Sequence, residues 1–400
     1  MTRPECMKML RALPVVSSHC HHARAEVQAG LSLSGMLNTS YAGWCGVPVG
    51  ETPEEHAAYV DHLGANTYFV WLSKAVAELY QCGEITAEHW EGISEAMQAA
   101  HADPEHHFRL LTERCRYRFV VQDSFWEPGA DLGRPGFFRP AYRINAWAMS
   151  PRPGAVDHND NSPWTDPNFT PTSVEEYLDR LELTIEAAVN RGAVAVKSAL
   201  AYDRTVAFDR PDMAAARRAF SPNANASELA HEDLIAFGDV VFHRACEVAA
   251  RLQVPFQVHL GLGRIATSNP MLFEPTIAAH PDTTFDLFHS GYPWCGEVAG
   301  LLHNYGNVVA DLCWVPLIST TAAVRALHEY LDVARSSDRI IWGDDTQSSE
   351  EAYGALLAWE YVVARVLSER VQDGLCTRAQ ATVLAEKLMF RNGEKLFGEG

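Results

Sequence analysis

Five short apolar runs in this chain each end in residues that can bind a divalent metal ion. The residues at these ends are His19 and His21, Lys197, His259, His289, and the pair Asp344 and Asp345. A short apolar run that stops at a polar residue is typical of a buried parallel strand. In a parallel α/β barrel the strands end at one face, and reactive groups lie there. The pattern therefore predicts a metal site at the mouth of a barrel.

The types of these residues indicate the chemistry. His19 and His21 are two apart, so on a strand both imidazoles face the same way, and such a pair favours zinc, manganese or iron. Of the adjacent Asp344 and Asp345, only one side chain should face the ion. A metal ion lowers the pKa of its bound water to about 7, and that aspartate can also take the proton from this water. His22 should point away as a structural residue, and His106 with His107 is predicted to be a solvated pair.

Lys197 follows a Val-Ala-Val run, where a bare ammonium is costly to bury. Three interpretations remain open from the residues alone. The lysine could carry a carbamate that bridges two metal ions, hold a substrate anion as a cation, or pair with a carboxylate inside the barrel.

The elements that must position these residues alternate regularly between strands and helices. Eight predicted strands separated by helical patterns indicate a parallel sheet closed into a distorted (β/α)8 TIM barrel. Three strands without a candidate ligand are predicted at 117–122, 142–149 and 307–313, and a long helix is predicted at 227–252. About ninety residues separate the first two strands, far more than an ordinary connection. We predict a helical insertion at about 45–112, either a surface elaboration or a substrate lid.

The composition fits one soluble barrel domain over residues 1–400, with 47% hydrophobic and 21% charged residues. The excess of 51 acidic over 32 basic residues argues against nucleic acid or an anionic membrane as a partner. No signal peptide or membrane-spanning stretch is evident, and nine cysteines without a CxxC pair suit reduced thiols. We therefore expect a cytoplasmic protein that acts on a small-molecule substrate, with a homo-oligomer as an open possibility.

The order His-x-His, Lys, His, His, Asp over successive strands resembles the amidohydrolase superfamily of metal-dependent (β/α)8 enzymes. Within it, the chain is similar to the amidohydrolase-related (amidohydrolase 2) branch, which includes FluG-type amidohydrolase domains and uronate isomerases. The stretch from Lys197 to Arg204 resembles FluG-type proteins after the fourth strand, and residues 66–90 resemble the helical segment of uronate isomerases. The similarity to uronate isomerases fades in the C-terminal half.

The resemblance implies that His19, His21 and Asp345 bind the first metal ion. The Gly-x-Asp pattern of the family's last strand points to Asp345 rather than Asp344. Asp344 itself departs from the serine or threonine that the family usually carries before its aspartate.

The same resemblance implies that His259 binds or approaches the metal and that His289 binds a second ion or polarises the substrate. Lys197 stands where binuclear members carry the bridging carbamate. One or two divalent ions per chain are therefore expected, with Zn²⁺ first and Mn²⁺ or Fe²⁺ as alternatives.

Three further residues are candidates for binding the substrate. Arg204 and Arg264 follow predicted strands by a few residues, where a guanidinium could hold a carboxylate in a bidentate pair. Tyr202 could donate a hydrogen bond to an oxyanion. A loop salt bridge, or for Tyr202 an equivalent structural contact, is an equal alternative for each residue.

The residues and the resemblance together predict a metal-dependent hydrolase in which metal-activated water attacks a small, carboxylate-bearing substrate. The resemblance implies that the bond attacked is an amide-type or other C–N or C–O bond. Asp345 would move the proton, His289 would stabilise the oxyanion, and Lys197 would contribute to the metal centre. The alternatives are a non-hydrolytic decarboxylase of the same branch and an aldose–ketose isomerase similar to the uronate isomerases. A non-catalytic metal-binding barrel is the remaining alternative.

Overall fold

Eight parallel strands pair in chain order and form a nearly closed barrel in the computed structural model, which describes residues 1–223 and 229–398. The (β/α)8 fold predicted from the sequence is confirmed. The strands are β1 Val15–Cys20, β2 Tyr117–Gln122, β3 Phe138–Arg143, β4 Ala195–Ser198, β5 Phe256–His259, β6 Phe285–Phe288, β7 Val308–Asp311 and β8 Ile340–Ile341.

Helices connect the strands and surround the barrel. They are α1 Arg3–Leu10, α2 Ala25–Gln28, α3 Leu33–Thr39, α4 Pro53–Leu63, α5 Thr67–Tyr80, α6 Trp90–Ala100, α7 His106–Arg109, α8 Asn145–Met149, α9 Val174–Asn190, α10 Met213–Ala219, α11 His231–Leu252, α12 Glu274–Ala279, α13 Cys295–Asn304, α14 Val315–Ile318, α15 Thr320–Val333, α16 Ser349–Gln372, α17 Arg378–Glu386 and α18 Asn392–Phe397. Residues 227 and 228 of the helix predicted at 227–252 lie outside the described residues. In residues 1–223 and 229–398, no helix combines the length and the apolar character that crossing a membrane requires.

The helical segment between β1 and β2 is larger than predicted, because α2 and α3 precede the expected start at residue 45. Helix α4 begins where the sequence indicates: Thr52 and Glu55 form a capping box, and Pro53 occupies the first helical position. The segment has an apolar cluster of its own and packs through α5 on α16. Thr67 and Trp71 of α5 also donate hydrogen bonds to the region around α14 and α15. The segment is therefore anchored on the barrel.

The third strand differs from the prediction. It covers Phe138–Arg143, whereas residues 145–149 form helix α8. Pro140 lies inside the strand, and a proline normally argues against a central strand in a sequence. The pairing places Arg143 beside Lys197 of β4. Arg143 thus reaches the mouth of the barrel, which the shifted prediction did not indicate.

The barrel closes where the end of β8 meets β1. The amide of Asp345 donates to the carbonyl of His19 across this seam at 2.9 Å. Between them lies Gly343, where an added Cβ would stand 2.6 Å from both the amide nitrogen of His19 and the Oγ of Ser18. Only glycine permits this approach. The seam therefore sets the spacing between side chains from the first and last strands.

Candidate metal centre

A cavity of about 240 Å³ opens at the carboxyl ends of the strands. The structure brings all six predicted metal-site residues to its wall, together with the predicted substrate residue Tyr202. The six are His19, His21, Lys197, His259, His289 and Asp345.

Three ligand atoms form a compact triangle in this cavity. Nε2 of His19 lies 3.3 Å from Nε2 of His21 and 3.6 Å from Oδ1 of Asp345, and the third side, from Nε2 of His21 to Oδ1 of Asp345, is 3.2 Å. Two zinc bonds of about 2.0–2.1 Å at a tetrahedral angle separate their ligand atoms by roughly 3.3 Å. These three residues therefore fit one divalent ion without rearrangement.

Asp345 and its neighbour have different surroundings. One carboxylate oxygen of Asp344 accepts hydrogen bonds from the amide and the hydroxyl of Thr346, so this side chain is committed to the loop. Burial raises the pKa of Asp344 to about 6. Burial alone would also raise the pKa of Asp345, but its hydrogen bond with His21 and the nearby positive charges hold this pKa below the usual range. Asp345 is thus the carboxylate that faces the cavity as an anion.

The surroundings of the second ring nitrogen differ between His19 and His21. Nδ1 of His21 donates to the carbonyl of Asp123 at 2.7 Å, which leaves Nε2 with a free lone pair. Nδ1 of His19 is buried without a hydrogen-bond partner among the described residues. Burial, with the charge of Lys197, lowers the pKa of His19 well below its ordinary value. The ring of His19 is therefore neutral, which is the form that can bind a metal ion.

His259 and His289 form a second pair beside the triangle. Nε2 of His259 donates to the carbonyl of Leu262, and Nδ1 of His289 donates to the carbonyl of Cys313 at 3.1 Å. The remaining nitrogens, Nδ1 of His259 and Nε2 of His289, are 3.0 Å apart. Burial lowers the pKa of His289 to about 4 and that of His259 well below its ordinary value. Both rings are therefore neutral, and the lone pairs of these two nitrogens face each other. The pair is suited to accept a cation or a proton donor.

Lys197 is almost fully buried, with its Nζ 3.4 Å from the centroid of the Phe288 ring. Burial lowers the pKa of this amine to about 8. Within residues 1–223 and 229–398, no carboxylate lies at ion-pairing distance from Nζ. A substantial fraction of the amine is therefore neutral at mildly alkaline pH, which is the form that can react with carbon dioxide.

Two charged residues of the cavity region were missed by the sequence analysis. Asp123 follows β2 directly, and Nε and Nη2 of Arg143 donate to its carboxylate, the shortest contact being 2.5 Å. Burial opposes ionisation of Asp123, but Arg143 holds its pKa below the usual range. Oδ2 of Asp123 lies 3.9 Å from Nε2 of His19. The signal was present, because Asp123 ends an apolar strand in the same way as the predicted ligands do.

The predicted substrate arginines lie elsewhere. Arg204 is buried and donates to Asp239 and to the carbonyl of Ile235, because a 3-10 turn after β4 directs its side chain towards α11. Arg264 is exposed and donates to the carbonyl of Tyr202. Neither guanidinium lines the cavity, so their expected substrate contact is corrected: Arg143 is the arginine that the structure brings there.

Backbone strain concentrates at the same mouth. His289, Trp314 and Asp345 have φ values of 58°, 65° and 56°, in the left-handed region that side chains rarely adopt. Each such residue costs about 1–3 kcal/mol, a cost typically found where a site requires a particular side-chain direction. Two of the three are candidate metal ligands.

The chain is similar in sequence to known proteins. Residues 185–379 match the family model described as amidohydrolase. Protein fluG of Emericella nidulans is 33% identical over 149 residues, which are 36% of this chain and 17% of that protein. The match thus spans about one sixth of the length of this curated relative.

Solved structures share the fold. The uronate isomerase from Thermotoga maritima superposes with a TM-score of 0.73 at 15% identity, over 99% of this chain and 97% of that one. The glucuronate isomerase from Caulobacter crescentus gives 0.71 at 13% identity, over 99% and 93%. At such identities the likeness concerns the fold alone. The family match includes four of the six predicted metal-site residues, which are Lys197, His259, His289 and Asp345. The resemblance to amidohydrolases expected from the sequence is thus confirmed over residues 185–379.

Proposed function

We propose that the protein is a metal-dependent hydrolase that cleaves an amide-type or other C–N or C–O bond of a small substrate carrying a carboxylate. The observation that carries this proposal is the triangle of His19, His21 and Asp345, whose ligand atoms are 3.2–3.6 Å apart. The family supports the coarser statement of an enzyme that uses a divalent metal. The choice of hydrolysis is our own inference.

A divalent ion held by His19, His21 and Asp345 would act as a Lewis acid and would lower the pKa of a water molecule. The protein side chains then handle the proton. Oδ1 of Asp345 faces the histidines of the triangle, whereas Oδ2 lies 3.8 Å from Nδ1 of His289. Asp345 can therefore bind with one oxygen and carry a proton to the leaving group with the other. His289 orients the substrate oxygen.

Arg143 is the proposed anchor for the substrate carboxylate. Its Nε and Nη2 are occupied by Asp123, but its Nη1 makes no hydrogen bond within the described residues, and the side chain lines the cavity. Tyr41, Trp44 and Phe125 add aromatic walls. A volume of about 240 Å³ is below the usual range for drug-sized ligands, which favours a small molecule.

The metal centre is tested first by mass spectrometry of protein purified without chelator. We expect Asp345→Asn to lose the ion held by the triangle. An ion count that falls by one or more in Lys197→Ala would support a carbamate at Lys197 that bridges two ions in the barrel. An ion count that is unchanged in Lys197→Ala would remove the bridge and leave Lys197 as a cation facing the substrate.

The reaction is tested by turnover of N-acyl amino acids, lactones and esters in water enriched in oxygen-18. Hydrolysis places one labelled oxygen in the product, whereas decarboxylation leaves the organic product unlabelled and isomerisation consumes no water. Arg143→Lys should raise the KM for carboxylate substrates more than it lowers kcat, with Arg264→Met as the control outside the cavity. Turnover without incorporation of the label would contradict the hydrolase proposal.

A further inference from the structure

A second cluster of histidines lies outside the cavity, where the helical segment meets the barrel. His101 follows α6, His106 begins α7, and Glu350 lies in the first turn of α16. The carboxylate of Glu350 is fully buried, and His106 is partly exposed. The cluster therefore joins two elements that are about 250 residues apart in the chain and remains accessible from one side.

The ligand atoms of this cluster converge on one oxygen. Oε1 of Glu350 lies 2.6 Å from Nε2 of His101 and 3.8 Å from Nε2 of His106. The hydroxyl of Tyr80 is 2.5 Å from the same oxygen and 3.4 Å from Nε2 of His106. Against the separation of roughly 3.3 Å expected around a tetrahedral zinc, the two short contacts must lengthen and the 3.8 Å distance must shorten, each by less than about 1 Å. Two imidazoles and a carboxylate form a common zinc ligand set.

A second observation comes from two neighbouring imidazoles. His22 and His107 are buried, their ring centroids are 5.1 Å apart, and neither ring has a hydrogen-bond partner within the described residues. A buried polar group without a partner costs free energy, so these four ring nitrogens require a reason. The negative charge of Glu350 acts on the ring of His107 and opposes the lowering of its pKa by burial. The prediction of a solvated pair at residues 106 and 107 is wrong, because His107 is 5% exposed.

We propose that His101, His106 and Glu350 bind a second, structural divalent ion of the zinc class, separate from the barrel centre. Tyr80 completes the coordination or holds a water ligand there. The ion fastens the helical segment to the start of α16.

This position connects the ion to the candidate active site. Glu350 follows Asp345 by five residues, and His22 follows His21 directly. Gln347 lies between the two clusters: it lines the cavity, and its carbonyl accepts a hydrogen bond from Gln28 of the helical segment at 2.9 Å. A bound ion at Glu350 therefore holds the loop that carries Asp345.

The test separates the two centres with two variants. The barrel variant carries His19→Ala and His21→Ala, and the cluster variant carries His106→Asn and Glu350→Gln. Each is stripped of metal, incubated with Zn²⁺, desalted and measured for zinc by mass spectrometry. We expect the barrel variant to keep about one ion per chain and the cluster variant to hold one fewer than wild type. His62→Asn, at an exposed histidine of α4, serves as the control and should not change the count.

A thermal readout covers the case in which a variant is destabilised. Zinc at about 100 times its Kd should raise the Tm of the barrel variant by about 3 °C and that of a combined barrel and Glu350→Gln variant not at all. The proposal is overturned if the cluster variant binds as much zinc as wild type. It is also overturned if Glu350→Gln lowers the Tm equally with and without zinc, because that result identifies a metal-free hydrogen-bond cluster. Wild-type protein that loses all of its zinc in the cluster variant and none in the barrel variant would instead count against the proposed hydrolase.

Discussion

Replacing Gly343 with alanine should disturb the metal centre through the backbone alone. The added Cβ would stand 2.6 Å from the amide nitrogen of His19 and from Oγ of Ser18, whereas ordinary contacts are 3.4–4 Å. The end of β8 must therefore move away from β1 by about 0.8 Å. Because Asp345 follows two residues later, its carboxylate moves relative to His19, and the ligand triangle opens.

The magnitude follows from that displacement. Overpacking of this size costs about 1–3 kcal/mol of the free energy of unfolding. For a chain of 400 residues, with an unfolding entropy of about 0.8 kcal/mol/K, the Tm should fall by about 1–4 °C. A misplaced ligand should weaken zinc binding by about 10–100-fold, the range seen when the partners of metal ligands are removed.

The assay is competition for zinc with a chromophoric chelator, together with calorimetric unfolding. Gly300→Ala is the matched control, because a Cβ at Gly300 meets no atom within 4 Å on helix α13. That control should bind zinc as wild type does and gain about 0.4–1 kcal/mol of stability. Wild-type zinc affinity in Gly343→Ala would refute the conclusion that the seam spaces the ligands.

Three further outcomes follow from buried charges. Arg143→Met leaves Asp123 without its counter-ion and should lower the free energy of unfolding, measured by urea denaturation, by about 3–5 kcal/mol. Adding Asp123→Asn should recover most of this loss. A loss that is not recovered would contradict the pairing of the two charges. Burial raises the pKa of Asp311, and it also raises the pKa of the neighbouring buried carboxyl of Asp286, so the native state binds more protons above pH 4 than the unfolded state does. Metal-free protein should therefore lose stability as the pH rises from 4 to 7. Asp311→Asn should make this slope shallower, and an unchanged slope would contradict protonation of Asp311. Burial lowers the pKa of Lys197 from 10.5 to about 8, so metal-free protein should lose about 3 kcal/mol as the pH falls through this range; a slope that persists in Lys197→Met would have another origin.

The sequence predicts the barrel and its mouth because both follow from local patterns. Short apolar runs end near His19, Lys197, His259 and His289. The ends of these strands can therefore be predicted from the sequence without knowledge of the tertiary structure. The same rule would have identified Asp123, had the polar residue directly after β2 been included. Residues at strand ends are therefore the predictable part of this site.

Residues beyond the strand ends were not predictable in this way. Arg204 lies only a few residues past β4, but the turn that follows decides its direction, and the buried carboxylate of Asp239 attracts it away from the cavity. Arg143 was not predicted as a cavity residue, because Pro140 argues against a central strand at this position in the sequence. The pairing of His101 with Glu350 depends on two helices that meet only in the folded chain, and no local pattern encodes such a meeting.

The seam between β1 and β8 has a consequence for when the metal centre can form. The hydroxyl of Ser17 and the amide of Asp344, which bond across it, are 327 residues apart in the chain. At about 5–20 residues per second, a ribosome needs roughly 16 to 65 s to synthesise that interval. Throughout this time the two histidines are present without the aspartate that completes their triangle. The proposed barrel ion can therefore be bound by the complete triangle only after residue 345 has been synthesised, and a nascent chain stalled before residue 345 should carry none at this site.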